Sequence, residues 1–276
     1  MSTASMKNMG NLPKTNDSSP QSEKESVQQF WDSAPCGTRD VTIDPGTVQY
    51  YEAIAENRYK LEYFIPDYAC FDGWQDKNVL EVGCGAGSDL LRFAQGGANV
   101  TGIDLSPHSA GLALSRLRLY NCSGTIGNAD AENLPFKNDT FDLVYSWGVL
   151  HHTPDTERAL NEILRVLKPG GKICIMLYHR HSLVAFQLYA AYGLLGFKPF
   201  HSLKYILAHY HESPGTKAYT VSEIKQMFAR FANLDIKVQL TPYDLRYQKN
   251  RYFPHWVGKL VPQNMGFFII IRGQKS

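Results

Sequence analysis

The hydrophobic pattern of this chain starts late. Residues 1–24 are rich in Ser, Asn, Pro and Lys and have no apolar period, so they are expected to be a disordered tail. From Val27 the pattern changes. Val27, Phe30 and Trp31 make a short apolar helix face, and Ala53, Ile54, Leu61 and Phe64 predict a longer helix after Pro45-Gly46. From Asn78 short β-rich runs alternate with helical patterns. Residues 79–82 read as a strand that runs into a glycine turn at 83–87, then 88–95 as a helix and 99–105 as a second strand. Ser106-Pro107 then supplies an N-cap and a first-turn proline. Strands follow at 125–127, 141–146 and 172–178, with a helix over 153–167 ending at Lys168-Pro169-Gly170-Gly171. This alternation predicts an α/β fold, a doubly wound parallel sheet with right-handed crossovers and helices on both faces. The rhythm then lapses for about forty residues and resumes with a helix over 221–231 and strands at 234–240 and 267–271.

Composition narrows the classes. The 276 residues are 43% apolar and 20% charged, which excludes wholesale disorder and a disulfide-dense miniprotein. Lys and Arg number 28 against 26 Asp and Glu, a net charge of +2, so no global field draws the chain onto nucleic acid or anionic lipid. Cys36, Cys70, Cys84, Cys122 and Cys174 form no C-x-x-C pair and read as reduced thiols of a cytoplasmic protein. No secretory signal is expected, and the longest greasy stretch, 183–197, is too short to span a bilayer. Being apolar on nearly every face, that stretch should be buried against a partner, a greasy ligand or a lipid surface, which leaves peripheral membrane contact open.

A glycine turn between a first strand and a helix brings backbone close to a ligand. Here Gly83, Gly85 and Gly87 have G-x-G-x-G spacing, and Ser88 stands where a dinucleotide fingerprint has its last glycine. Asp104 ends the second strand about twenty residues beyond the first glycine, placed to accept the ribose hydroxyls of NAD or of S-adenosylmethionine. Spacing alone does not choose between them.

Six ordered motifs do. Glu81-Val82-Gly83-Cys84-Gly85-Ala86-Gly87 and Gly102-Ile103-Asp104-Leu105-Ser106 resemble the class I S-adenosylmethionine-dependent methyltransferases. So do the run from Asn128 to Phe136, Phe141-Asp142-Leu143-Val144, Trp147-Gly148-Val149-Leu150-His151-His152 and Leu167-Lys168-Pro169-Gly170-Gly171. The branch they most resemble contains the ubiquinone and menaquinone biosynthesis enzymes. The resemblance implies a seven-stranded, mostly parallel sheet with the last strand inserted antiparallel beside strand five. One methyltransferase domain would cover 25–276, with a helical cover at 25–77, a cofactor-binding core at 78–178, a substrate cover at 179–219 and the reversed strand pair at 220–276. It also implies cofactor roles. Gly83, Cys84, Gly85 and Gly87 would pass beneath the methionine and ribose of S-adenosylmethionine, Asp104 would hold the ribose, and Leu105 would pack on the adenine. Asp130, with Ala131 beside it, would take the adenine amino group, and Ser146 and Trp147 would line the methyl-transfer side. Glu81 would link to the loop or to the cofactor amine, and Arg58 would pair with the cofactor carboxylate.

Candidate catalytic residues follow strands four and five at the sheet edge where such folds bind ligands. His151 is the first choice for a base, and Tyr178 and His179 come next. His179, His181, His209, His211 and Glu212 suggest metal ligands, but their spacing fits no standard site and no metal is expected. The expected partner is a small-molecule acceptor, partly apolar or aromatic, whose O, N or C atom is methylated. Two alternatives compete with it. One is an RNA methyltransferase using the interleaved basic and aromatic residues of 243–259; the other is a non-catalytic cofactor-binding subunit.

Overall fold

The computed structural model describes residues 19–39, 41–248 and 251–276, with the side chains of Tyr247, Gln248 and His255 left aside. Most of the expected tail, 1–18, lies outside the described residues. Its last part does not behave as a tail: helix α1 (Pro20–Ser33) opens at Pro20, with the Ser19 side chain accepting from the Ser22 N–H. Helix α2 (Val48–Leu61) is capped by Thr47 and buries Tyr50, Tyr51 and Ile54.

Seven strands form one sheet: β1 (Asn78–Val82), β2 (Asn99–Asp104), β3 (Thr125–Asn128), β4 (Phe141–Trp147), β5 (Leu167–Tyr178), β6 (Phe231–Gln239) and, last in the chain, a strand at Phe268–Lys275. A separate hairpin pairs β7 (Arg246–Gln248) with β8 (Arg251–Tyr252), so the last strand of the sheet is β9. The order is β3-β2-β1-β4-β5-β9-β6. The first five strands run parallel, and β9 inserts antiparallel between β5 and β6, with Tyr178 opposite Phe268 and Ile175 opposite Ile271. This is the doubly wound sheet with a reversed last strand that the motifs implied. The central strands bury both faces, as parallel strands under helices on two sides must. Leu80, Val144, Ile175 and Ile269 meet Ile163 and Phe228 on one side, while Val79, Tyr145, Met176 and Phe268 meet Phe64 and Phe93 on the other.

Element ends differ from the sequence reading by a few residues. After the short α3 (Ile65–Ala69), helix α4 (Ser88–Gln95) follows the glycine turn and α5 (Pro107–Leu119) follows Ser106, whose hydroxyl accepts from the Ser109 N–H. The helix predicted from 153 begins at α6 (Thr156–Val166) because Asp155 is its cap. Strand β5 starts at Leu167 and runs irregularly through the Lys168–Gly171 motif, with a register shift against β4.

The apolar segment at 183–197 is left largely uncovered by the chain itself. It folds as a short helix α7 (Leu183–Leu188) and a π turn, and only Ala185, Leu188 and Gly193 are buried. Its tip is open: Phe197 is 92% and the nearby Phe200 98% exposed. Periodicity reported apolarity all round correctly, but burial needs a surface to pack on, and the sheet edge accommodates only the first turn. Among the described residues no helix is long and apolar enough to cross a membrane.

Candidate active site

The carboxyl ends of β1, β2, β4 and β5 meet at one edge, where the glycine turn, the Asp104 corner and the residues after β4 gather. The glycine turn needs its glycines for two different reasons. Gly83 has φ +78°, and a Cβ there would lie 2.2 Å from Val149 Cγ2, so the turn packs directly on the loop after β4. Gly85 also has positive φ (+52°), yet nothing lies within 4 Å of its would-be Cβ. That open space is a cradle over the backbone. Asp104 pins it: one carboxylate oxygen accepts the Gly85 N–H at 2.8 Å and the other accepts the Ser106 N–H at 2.9 Å. Burial raises the Asp104 carboxyl, while those two donors pull it down. Each oxygen keeps a lone pair for another donor. Cradle and carboxylate together fit the methionine and ribose parts of S-adenosylmethionine.

Several of the other expected cofactor residues make contacts of their own. Asp130 accepts the Lys24 ammonium at 2.5 Å, and Lys24 also reaches Glu132 at 2.8 Å. Helix α1 thus lies across the ends of β2 and β3, and its Asp32 carboxylate accepts the Ser106 hydroxyl at 2.5 Å. Leu105 is half-buried and Ala131 buried, while the Cys84 thiol is buried and pushed well above its usual range. Ser146, near the end of β4, donates its hydroxyl to the carbonyl of Val82, the residue before the glycine turn. Trp147 stacks on Tyr145 and donates its indole N–H to Glu62 at 2.6 Å.

Arg58 requires a correction. Rather than standing free for a cofactor carboxylate, it grips the buried Asp89 through Nε and Nη2, and Tyr59 and Tyr145 donate to the same carboxylate. An unpaired buried carboxylate is costly, and Asp89 takes the nearest cation. Glu81 is buried with one oxygen unpartnered, and burial followed by the nearby Asp89 pushes its carboxyl well above the usual range.

At the β4–β5 end the structure gathers residues that are scattered in sequence. The His151 ring lies 3.7 Å from the Tyr178 ring, and the Tyr178 hydroxyl donates to Glu212 at 2.8 Å. His152 meets the same carboxylate at 3.4 Å, and Trp31 of α1 sets its ring edge against His152 at 5.4 Å. Burial would raise Glu212, but His211, His152 and the tyrosine hydroxyl bring its carboxyl down to about 2. Burial, with the neighbouring histidines, holds His151 well below its ordinary range, so its ring is neutral.

His151 and Tyr178 are therefore brought together, and His179 is not. Strand alternation turns His179 away from Tyr178, and its ring donates to the Gly266 carbonyl at 3.0 Å. His151 is fully buried, so it does not itself present a nitrogen to an acceptor in this arrangement. The supposed grouping of His179, His181, His209, His211 and Glu212 also divides: His209 bonds the Tyr205 carbonyl on the exposed face of its helix, whereas Glu212 joins the cluster.

Two groups escaped the sequence reading. Glu62 accepts from Trp147 and from the Tyr243 hydroxyl, and burial raises its carboxyl against the pull of Arg58. A lone acid in Leu61-Glu62-Tyr63-Phe64 was the available signal. Cys36 is exposed, on the side of the molecule where Arg58, Glu212, Glu62 and Asp104 act on its thiol. No local pattern marked it. Tyr243 turns inward onto Glu62, which removes one ring from the basic-aromatic segment that an RNA platform would need.

Comparisons with known proteins agree with this geometry. Residues 80–175 match the methyltransferase domain family. A sterol 4-C-methyltransferase of Caenorhabditis elegans is 31% identical over 133 residues, covering 48% of this chain and 38% of the relative. A ubiquinone biosynthesis O-methyltransferase of Rhizobium leguminosarum bv. trifolii is 29% identical over 183 residues, covering 57% of this chain and 72% of the relative. The chain spans less than half the length of most of the curated relatives it matches. The crystal structure of a magnesium protoporphyrin IX methyltransferase from Synechocystis, solved with S-adenosylhomocysteine bound, superposes with a TM-score of 0.58 at 14% identity, over 92% of this chain and all of that one. Residues 80–175 are thus similar to the methyltransferase domain family, and the strand order is the fold shared with the solved methyltransferase.

Proposed function

We propose that the protein transfers the methyl group of S-adenosylmethionine to a small, partly apolar or aromatic acceptor by in-line displacement. The observation that carries this reading is the Gly85 cradle pinned by Asp104 at the carboxyl edge of the sheet. When bound, S-adenosylmethionine supplies an electrophilic methyl on a sulfonium. The chain's own part is to position. Gly83, Gly85 and Gly87 carry the backbone beneath the cofactor, Asp104 holds the ribose hydroxyls, and Leu105 packs on the adenine. Asp130 takes the adenine amino group in place of the Lys24 ammonium, one N–H donor exchanging for another at the same carboxylate. The domain divides as the motifs imply: a helical cover before residue 78, a core to 178, a second cover to 219 and the reversed strand pair beyond.

An acceptor must be held about 3 Å from the methyl, in line with the sulfur and away from water. Aromatic walls at Trp31, Trp147 and Tyr243 favour a planar or apolar body, and the Tyr178–Glu212 pair gives it a polar anchor. Methyl transfer from S-adenosylmethionine to a panel of phenols, amines and quinone precursors tests the reading. It expects S-adenosylhomocysteine release with at least one aromatic acceptor. A protein that bound the cofactor yet methylated no member of the panel would favour the non-catalytic alternative.

A further inference from the structure

The hydrogen bonds around His152 are compatible with a hydrogen on either ring nitrogen. The Thr216 hydroxyl donates its one proton to the Ser213 carbonyl at 2.6 Å, so toward His152 Nδ1, 3.1 Å away, it can only accept. The Ser213 hydroxyl, 2.8 Å from the same nitrogen, can donate to a bare Nδ1 or accept from Nδ1–H. In the first case Nε2–H faces Glu212 Oε2 at 3.4 Å; in the second the Nε2 lone pair faces that carboxylate and calls for a cation between them.

Two arrangements fit: a hydrogen on Nε2 or a metal ion between Nε2 and the carboxylate. A proton would satisfy His152 alone. It would leave His151 fully buried, with neither ring nitrogen bonded to anything, at a site where nearly every buried polar atom should have a partner. A metal answers both. One ligand atom each from His151, His152 and Glu212 lies within 4.8 Å of the others. The 3.4 Å separation of His152 and Glu212 is what two ligands show on a tetrahedral ion with bonds near 2.1 Å. A modest rotation of the His151 ring closes the third bond.

We propose that His151, His152 and Glu212 form a binding site for a divalent first-row transition ion. Two imidazoles with one carboxylate suit zinc and its neighbours, and three protein ligands leave a coordination position open. With an ion on Nε2, His152 Nδ1–H donates to the Thr216 and Ser213 hydroxyls, and Tyr178 orients Glu212 by donating to the ligating oxygen. His211 stands beside the set with both ring nitrogens unpartnered, available as a fourth ligand after a rotamer change.

The test uses the full chain after chelator treatment. Zn2+ is titrated against a chromophoric competitor, and Co2+ uptake is followed by its visible absorption. One equivalent of tightly held ion and the intense bands of a four-coordinate cobalt site are expected. Glu212→Gln should abolish both. Thr216→Val keeps the shape of the side chain, removes an acceptor of His152 Nδ1–H, and should weaken Zn2+ binding roughly 10- to 100-fold. If Glu212→Gln does not fold, Thr216→Val still decides. Failure of the stripped protein to take up either ion, or unchanged affinity in Thr216→Val, overturns the site and leaves a hydrogen-bonded His152–Glu212 pair. Neither readout uses methyl transfer, so the metal site and the proposed activity stand or fall separately.

Discussion

The two ends of the sheet edge were built by different rules. At the β1–β2 end, the groups around the cradle come from two short runs of chain, 81–88 and 102–106, and backbone N–H groups do much of the holding. At the β4–β5 end, Cys36, Glu62, His151, His152, Tyr178, Glu212 and Tyr243 come from six separate stretches, and side chains hold one another. A ligand common to a whole family can be bound by local backbone geometry. An acceptor particular to one protein calls for side chains delivered from wherever the fold brings them.

The sharpest break in that comparison lies inside the glycine turn. Gly83→Ala drives a methyl into Val149 at a positive φ and should destabilise the fold by about 2–5 kcal/mol. Gly85→Ala bears only the φ cost, about 1–2 kcal/mol, because its Cβ enters open space. That space is the cradle, so Gly85→Ala should lose far more cofactor affinity than stability. Urea denaturation and calorimetry on the two variants separate the effects; equal stability losses would show that the open space was misread.

At the other end, Asp244 accepts from the Thr241 N–H and hydroxyl and from the Phe267 N–H, and it fixes the turn next to the ring stacked on Tyr178. Burial outweighs these donors and raises its carboxyl to about 6. The folded state therefore binds this proton more tightly than the unfolded chain, whose aspartates titrate near 4. Asp244's contribution to stability is greatest at acid pH and falls by as much as about 3 kcal/mol as pH rises from about 4 to 6. Asp244→Asn should flatten that part of the profile, and an identical pH slope in wild type and variant would remove the claim.

Asp104→Ala should weaken cofactor binding by about 1–3 kcal/mol through loss of charge-assisted hydrogen bonds. Affinity equal to wild type would take Asp104 away from the ribose. The smallest effect is expected at the open tip, where Phe200→Ser should change stability by less than about 0.5 kcal/mol, as read by the denaturation midpoint.

The same contrast explains what could be read in advance. Strand and helix order and the glycine turn were legible because each depends on spacing within a few dozen residues, whereas the reversed β9, which pairs Phe268 with the distant Tyr178, came only through the family resemblance. Glu62 and Cys36 were not, because their roles depend on α1 and α2 folding back over the sheet. His179 was misplaced for a simpler reason: strand alternation sends neighbours to opposite faces, and proximity in sequence to Tyr178 carried no information about side. The exposed Phe197 and Phe200 show the limit of apolarity as a guide, since it reports what a side chain prefers and not whether the fold provides a surface to cover it.

The central claim is that the Gly85 cradle and the Asp104 carboxylate are a cofactor site. Calorimetric titration of the protein with S-adenosylmethionine, S-adenosylhomocysteine and NADH in parallel tests it most directly. The account predicts binding of the first two with dissociation constants on the order of micromolar and no heat from NADH. Binding of NADH alone would contradict it and would mean that the missing glycine at Ser88 had been misjudged.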